Sequence, residues 1–117
     1  MGDATAIAVD GGLTLDPSHP FEEVLVGIVE TYRRKANDYV RNGESPWDNF
    51  DSVEGATGTT HGTAVEVLIA TKQARLAALR TREGGPLNES VEDTLLDRAV
   101  YSIIALARSK YPAGKVE

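Results

Sequence analysis

Residues 88–110 read Asn88-Glu89-Ser90-Val91-Glu92-Asp93-Thr94-Leu95-Leu96-Asp97-Arg98-Ala99-Val100-Tyr101-Ser102-Ile103-Ile104-Ala105-Leu106-Ala107-Arg108-Ser109-Lys110. Leu95, Leu96, Ala99, Val100, Ile103, Ile104 and Ala107 recur at the three- and four-residue steps of an α-helix. Asn88 or Ser90 can cap the start, and Ser90 with Asp93 has capping-box spacing, in which each residue satisfies the other's backbone N–H. Pro112 and Gly114 close the stretch, so a helix is predicted to about residue 110.

Two more helices are legible upstream. One runs over about residues 20–42. Ser18 or His19 precedes Pro20, which suits a first turn, and Glu22 and Glu23 suit the positive helix end. Phe21, Leu25, Ile28, Tyr32 and Tyr39 make its apolar face, and Gly43 stops it. The next runs over about residues 62–80, capped by Thr59, Thr60 or Thr63, with a main stripe of Val65, Leu68, Ile69, Leu76 and Leu79. Val67, Ala70, Ala74, Ala77 and Ala78 give it a second apolar side, which implies a central helix or one buried between subunits.

The rest is connection. Residues 1–19 have no helical period, and a short extended piece is expected over residues 6–9. Residues 43–61 read as a long loop, with Trp47 and Phe50 either plugging the end of a bundle or stacking on a base. Residues 111–117 read as a tail. The expectation is one all-α domain over residues 1–117, a small helical bundle of three main helices completed by oligomerisation.

The bulk numbers narrow the function. The 117 residues suit one domain, 41% are apolar, and cysteine is absent, which excludes disulfide scaffolds and thiolate chemistry and fits a reducing cytoplasm. A net charge of −6 gives no overall field to draw the chain to nucleic acid, so no direct nucleic-acid binding is expected. No apolar run nears the roughly 20 residues of a membrane span, and no signal peptide is expected at the N-terminus. No nucleophile elbow, catalytic triad or dinucleotide fingerprint is present, and Gly55-Ala56-Thr57-Gly58-Thr59-Thr60 lacks the ending of a phosphate loop.

Charge falls where the core should be. Advancing each helix by about 100° per residue puts Lys72 inside the stripe of the second helix and Lys35 beside Ile28 and Tyr32 on the first. On the third, Glu92 aligns with Ala99 and Ile103, Glu89 and Asp93 lie close beside it, and Asp97 follows one turn later. An unpaired buried charge costs several kcal/mol. Lys35 and Lys72 therefore meet these acids, or the acids hold a cation and the lysines meet phosphate. Glu89, Glu92 and Asp93 share one helix side and can converge on a hard ion such as Mg²⁺, while Lys72, Arg75 and Lys35 can neutralise phosphate.

Three segments together resemble a known family. Lys35-Ala36-Asn37-Asp38-Tyr39, Lys72-Gln73-Ala74-Arg75-Leu76 and residues 88–97 with Ala99 and Tyr101 resemble the nucleotide modification associated family of bacteriophages and bacteria, in the right order over about residues 20–107. The resemblance implies an all-α fold and a place in phage nucleotide metabolism, in the host cytoplasm. It marks Lys35, Asp38, Tyr39, Lys72, Arg75, Asp93, Asp97 and Tyr101. The family is distantly similar to MazG-like nucleoside triphosphate pyrophosphohydrolases, which hold Mg²⁺ with two acidic pairs. Glu89 and Glu92 match one pair, but on the second helix Ile69 follows Glu66 by three residues, so a partner subunit would have to complete the set.

Three functions are consistent with these residues. In a Mg²⁺-dependent nucleotide hydrolase, Glu89, Glu92, Asp93 and Asp97 hold the metal, and Asp38 and Asp97 serve the chemistry. Lys35, Tyr39, Lys72, Arg75 and Tyr101 then bind the nucleotide. In a binding module that sequesters a nucleotide or cyclic nucleotide, the same basic residues serve and the acids are structural. In a structural, partner-binding protein the charges are buried ion pairs.

Overall fold

The computed structural model describes residues 7–8, 14–39, 45–81 and 90–116. Glu89, the side chains of Asp38 and Tyr39, and the connection over residues 82–87 lie outside the described residues. Among the described residues the chain is all-α in class: helices α1 (Pro20–Tyr39), α2 (Asp48–Thr57), α3 (Thr63–Thr81) and α4 (Val91–Lys110) accompany two short strands. None of these helices is long and apolar enough to cross a membrane. The chain divides into two compact units, residues 1–34 and residues 35–117, with α1 crossing from one to the other.

In the first unit, β1 (Ile7–Ala8) and β2 (Thr14–Leu15) pair antiparallel, Ile7 opposite Leu15 and Ala8 opposite Thr14. A turn at Asp16 then launches α1. Its carboxylate accepts hydrogen bonds from the Ser18 backbone N–H (2.9 Å) and hydroxyl (2.6 Å). These bonds hold the Asp16 carboxyl below its ordinary range, the Ser18 hydroxyl contributing most. The Asp16 N–H donates to Glu22 Oε1 at 3.0 Å and so ties the strand to the first helical turn. Ile28 and Thr31 are buried, whereas Phe21, expected on the apolar face, is 69% exposed.

In the second unit α4 is the main partner of α3, and α2 lies against α3. Val65 and Leu76 of α3, Val100, Tyr101 and Ile104 of α4, and Phe50 of α2 are buried. The α4 start is as the sequence predicts. The Ser90 hydroxyl accepts from Asp93 N–H (2.9 Å), and the Asp93 carboxylate accepts from Ser90 N–H (3.4 Å). The loop expected over residues 43–61 is corrected: α2 occupies Asp48–Thr57, so the described residues form four helices rather than the three main ones expected. Asp48 and Asp51 sit at its positive end, and Gly58 stops it in a left-handed conformation that glycine adopts without strain.

Trp47 and Phe50 are plugs. Both are buried, and the Trp47 indole N–H donates to the Tyr111 carbonyl at 2.8 Å, just past the end of α4. The turn after α4 is thereby anchored; Gly114 N–H bonds the same carbonyl at 2.8 Å. Stacking either ring on a base would require pulling it from the core.

Candidate functional site

Asp97 gathers the site. It lies on α4 two turns after the capped start, and its carboxylate meets two lysines from other helices. Lys72 Nζ of α3 stands 2.9 Å from Oδ2, and Lys35 Nζ of α1 stands 3.7 Å from Oδ1. All three side chains are largely buried, at 16%, 29% and 17% exposure for Lys72, Lys35 and Asp97. Lys35 Nζ also lies 5.8 Å from the centre of the buried Tyr101 ring, within reach of a cation–π attraction. Four residues marked in the sequence therefore meet at one place, with Tyr101 following Asp97 by one helical turn.

The two lysines are held differently. Lys72 is at charge-assisted hydrogen-bond distance from Asp97. Lys35 is not: at 3.7 Å the attraction is Coulombic, and among the described residues its ammonium donates no hydrogen bond. Its ring contact and partial burial keep it in place without using its donors.

The other predicted residues go elsewhere. Arg75 is exposed on α3, beside a hollow it lines with Ala74, Ala78 and Leu79. Asp93 is committed to the capping box and Glu92 is exposed. Among the described residues no three acids or histidines are gathered as a metal site requires. Both Asp97 oxygens face ammonium groups, so the described acids do not fit a Mg²⁺ cage.

The deepest polar cluster was missed by sequence reasoning. Arg108 is only 2% exposed, and its guanidinium meets Glu54 fork to fork, Nη1 to Oε2 at 2.9 Å and Nη2 to Oε1 at 2.6 Å. Nη2 also bonds the Asp51 carboxylate. Glu54 Oε2 further accepts from the Gly62 (2.8 Å) and Ala64 (3.1 Å) backbone N–H groups at the start of α3. The cap of α3 is thus the Glu54 carboxylate, borrowed from α2, rather than a threonine. Hydrogen bonding by Arg108, aided by those N–H groups, outweighs burial and pulls the Glu54 carboxyl from 4.5 to about 2. The same bonds push the Arg108 guanidinium pKa up. A signal existed: Arg108 follows Ile104 by four residues and Tyr101 by seven, so it continues the buried stripe.

These are two different arrangements. Arg108 and Glu54 form a buried lock with Asp51 half-exposed at its edge, and Arg108 also borders a hollow of about 430 Å³ with His61 and Glu66. Lys35, Lys72 and Asp97 form a looser group, in which Lys35 donates no hydrogen bond among the described residues. Compared with protein-family models, with curated proteins and with solved structures, the chain matches none.

Proposed function

We propose that the chain binds a phosphorylated nucleotide at Lys35, Lys72 and Asp97, as a binding module rather than a metal-dependent hydrolase. One observation carries it: Lys35 is brought beside Asp97 and Tyr101 yet stays 3.7 Å from the carboxylate, and among the described residues it donates no hydrogen bond. An incoming phosphate oxygen supplies the acceptor that the described residues do not give Lys35. Asp97 then positions both ammonium groups, and Lys72 contributes charge close to the phosphate. The resemblance of residues 35–39, 72–76 and 88–101 to phage nucleotide proteins supports the same ligand class.

Hydrolysis is the weaker reading, because Asp93 is spent on a cap and Asp97 on lysines. Mg²⁺ belongs to this proposal only as a counter-ion that arrives on the ligand's phosphates. Self-association belongs to it as well, because α3 presents an uncharged outer face.

A thermal-shift panel of ribo-, deoxyribo- and cyclic nucleotides, each with and without Mg²⁺, tests the proposal. A ligand at about 100 times its dissociation constant adds roughly 2.7 kcal/mol, a visible shift for a domain of this size. The expected result is a shift with one nucleotide class, independent of Mg²⁺ and lost in Lys35→Ala. No shift with any nucleotide leaves the three side chains as an ion-pair lock between helices. A shift that strictly requires Mg²⁺, with phosphate released, restores the hydrolase.

A further inference from the structure

The outward face of α3 is built for another helix. Thr63, Val67, Ala70, Ala74, Ala77 and Thr81 follow one another at steps of four, three, four, three and four residues. That is an unbroken heptad seam along the whole of α3. All but Thr63 are exposed, Val67 at 57%. Every charged residue of α3, namely Glu66, Lys72, Arg75 and Arg80, falls off this line. A solvated helix face of this length ordinarily carries charge.

The threonines make the seam more apolar than its letters suggest. Thr81 Oγ1 folds back on the carbonyls of Ala77 (3.2 Å) and Ala78 (3.1 Å). Thr71, flanking the seam, does the same to Val67 O at 2.8 Å, and Thr63 Oγ1 is paired with Thr60 Oγ1 at 3.0 Å. With the hydroxyls satisfied locally, the γ-methyl groups remain for packing. Beside the N-terminal half of the seam, Val53 of α2 (44% exposed) and Val67 border a hollow of about 390 Å³ with almost wholly apolar walls.

We infer that this face pairs with the α3 of a second copy of the chain, antiparallel. Charge complementarity selects that occupant and that direction. One flank of the seam carries Glu66 in the first turn and Arg80 in the last. Reversing a second copy brings Glu66 onto Arg80 twice, once at each end, and opposes the helix dipoles. In a parallel pair this flank would face the opposite, uncharged flank of the partner helix, with Thr71 and Ala78, so neither Glu66 nor Arg80 would meet a counter-charge. Alanine at the contact lets the two helices approach closely, and the C-terminal half of the partner helix then covers the hollow beside Val53. The inference deepens the self-association named above, but it needs no nucleotide.

Sedimentation equilibrium of the full chain without nucleotide tests it. The expected mass is twice 12.5 kDa. Ala74→Glu, on an exposed position, should keep the helical circular dichroism and raise the dimer dissociation constant at least about tenfold. Glu66→Arg and Arg80→Glu should each weaken the dimer, and the double exchange should restore it. A monomeric parent chain overturns the inference. So does a dimer indifferent to Ala74→Glu, or one that the double exchange fails to rescue. A dimer without a nucleotide shift would leave this inference standing and remove only the ligand.

Discussion

Arg108 and Glu54 are 54 residues apart in the chain and meet through two parallel hydrogen bonds of 2.9 and 2.6 Å, beneath the surface of the second unit. The pair fastens the end of α4 to α2, and through the Gly62 and Ala64 N–H groups to the start of α3. Its consequence for acid stability has a definite sign. The Glu54 carboxyl is lower in the folded chain, at about 2, than its ordinary 4.5. Its stabilisation is therefore present above pH 4.5 and is lost as pH falls from 4.5 toward 2. Urea denaturation at neutral pH and near ~pH 3 should show Glu54→Gln destabilised at neutral pH and less sensitive to acid than the parent. Equal acid sensitivity in both would remove Glu54 as the titrating group. Arg108→Met, which leaves two carboxylates facing each other's field, should cost about 3–5 kcal/mol.

Trp47 gives a second handle on the same end of the molecule. Its indole N–H is the donor to the Tyr111 carbonyl, where α4 has run out of backbone partners. Trp47→Phe keeps a ring in the core and removes the donor. The expected loss is about 1 kcal/mol for the bond, with a further contribution from the smaller ring. Denaturation midpoints at constant slope read it directly, and an unchanged midpoint would mean the bond adds nothing beyond what water supplies.

Gly114 and Gly58 separate two reasons for glycine. Both have positive φ, +83° and +69°. A Cβ on Gly114 would come within 2.6 Å of Pro46 Cδ and 2.9 Å of Ser45 Oγ, whereas nothing lies within 4 Å of one on Gly58. Gly58→Ala should cost only the left-handed backbone strain, about 1–2 kcal/mol. Gly114→Ala should cost clearly more, because the rigid proline ring cannot step aside. Thermal unfolding of the two variants side by side compares them, and equal losses would show that the tail turn yields readily.

The contrast between α4 and α2 shows what local sequence carries. Ser90, Asp93 and the apolar steps from Leu95 to Ile104 are all local signals, and they agree on one helix. Lys35, Lys72 and Asp97 were legible for a related reason: Lys72 interrupts an apolar stripe, Lys35 lies beside one and Asp97 near the edge of one, and a charge there needs a partner. α2 has no such redundancy. It is ten residues long, with two buried side chains, Phe50 and Glu54, and with Gly55 and Thr57 weakening its helical propensity. Glu54 is buried only because Arg108 reaches it from the far end of the chain, a cause no window around residue 54 contains. Arg108 itself stood on the stripe through Tyr101 and Ile104, but a base in the last turn of a helix already has a dipole explanation.

Asp97 is where stability and binding should part. Its carboxylate holds Lys72 at 2.9 Å and Lys35 at 3.7 Å, so Asp97→Asn removes the charge that draws both lysines inward. The folded chain should lose stability, by about 3 kcal/mol if the site stays largely dry and less if water enters. An anionic ligand, however, is repelled by the same carboxylate. With asparagine in its place, Lys35 and Lys72 face the phosphate alone, and nucleotide affinity should rise rather than fall. Calorimetric titration of the nucleotide from the thermal-shift panel, run beside urea denaturation of the same variant, measures the two effects separately. Opposite movement fits a binding module in which the carboxylate's repulsion of the phosphate outweighs its positioning of the lysines. Loss of affinity together with stability would instead mean that Asp97 touches the ligand or builds the pocket. Unchanged stability with unchanged affinity would remove Asp97 from both roles.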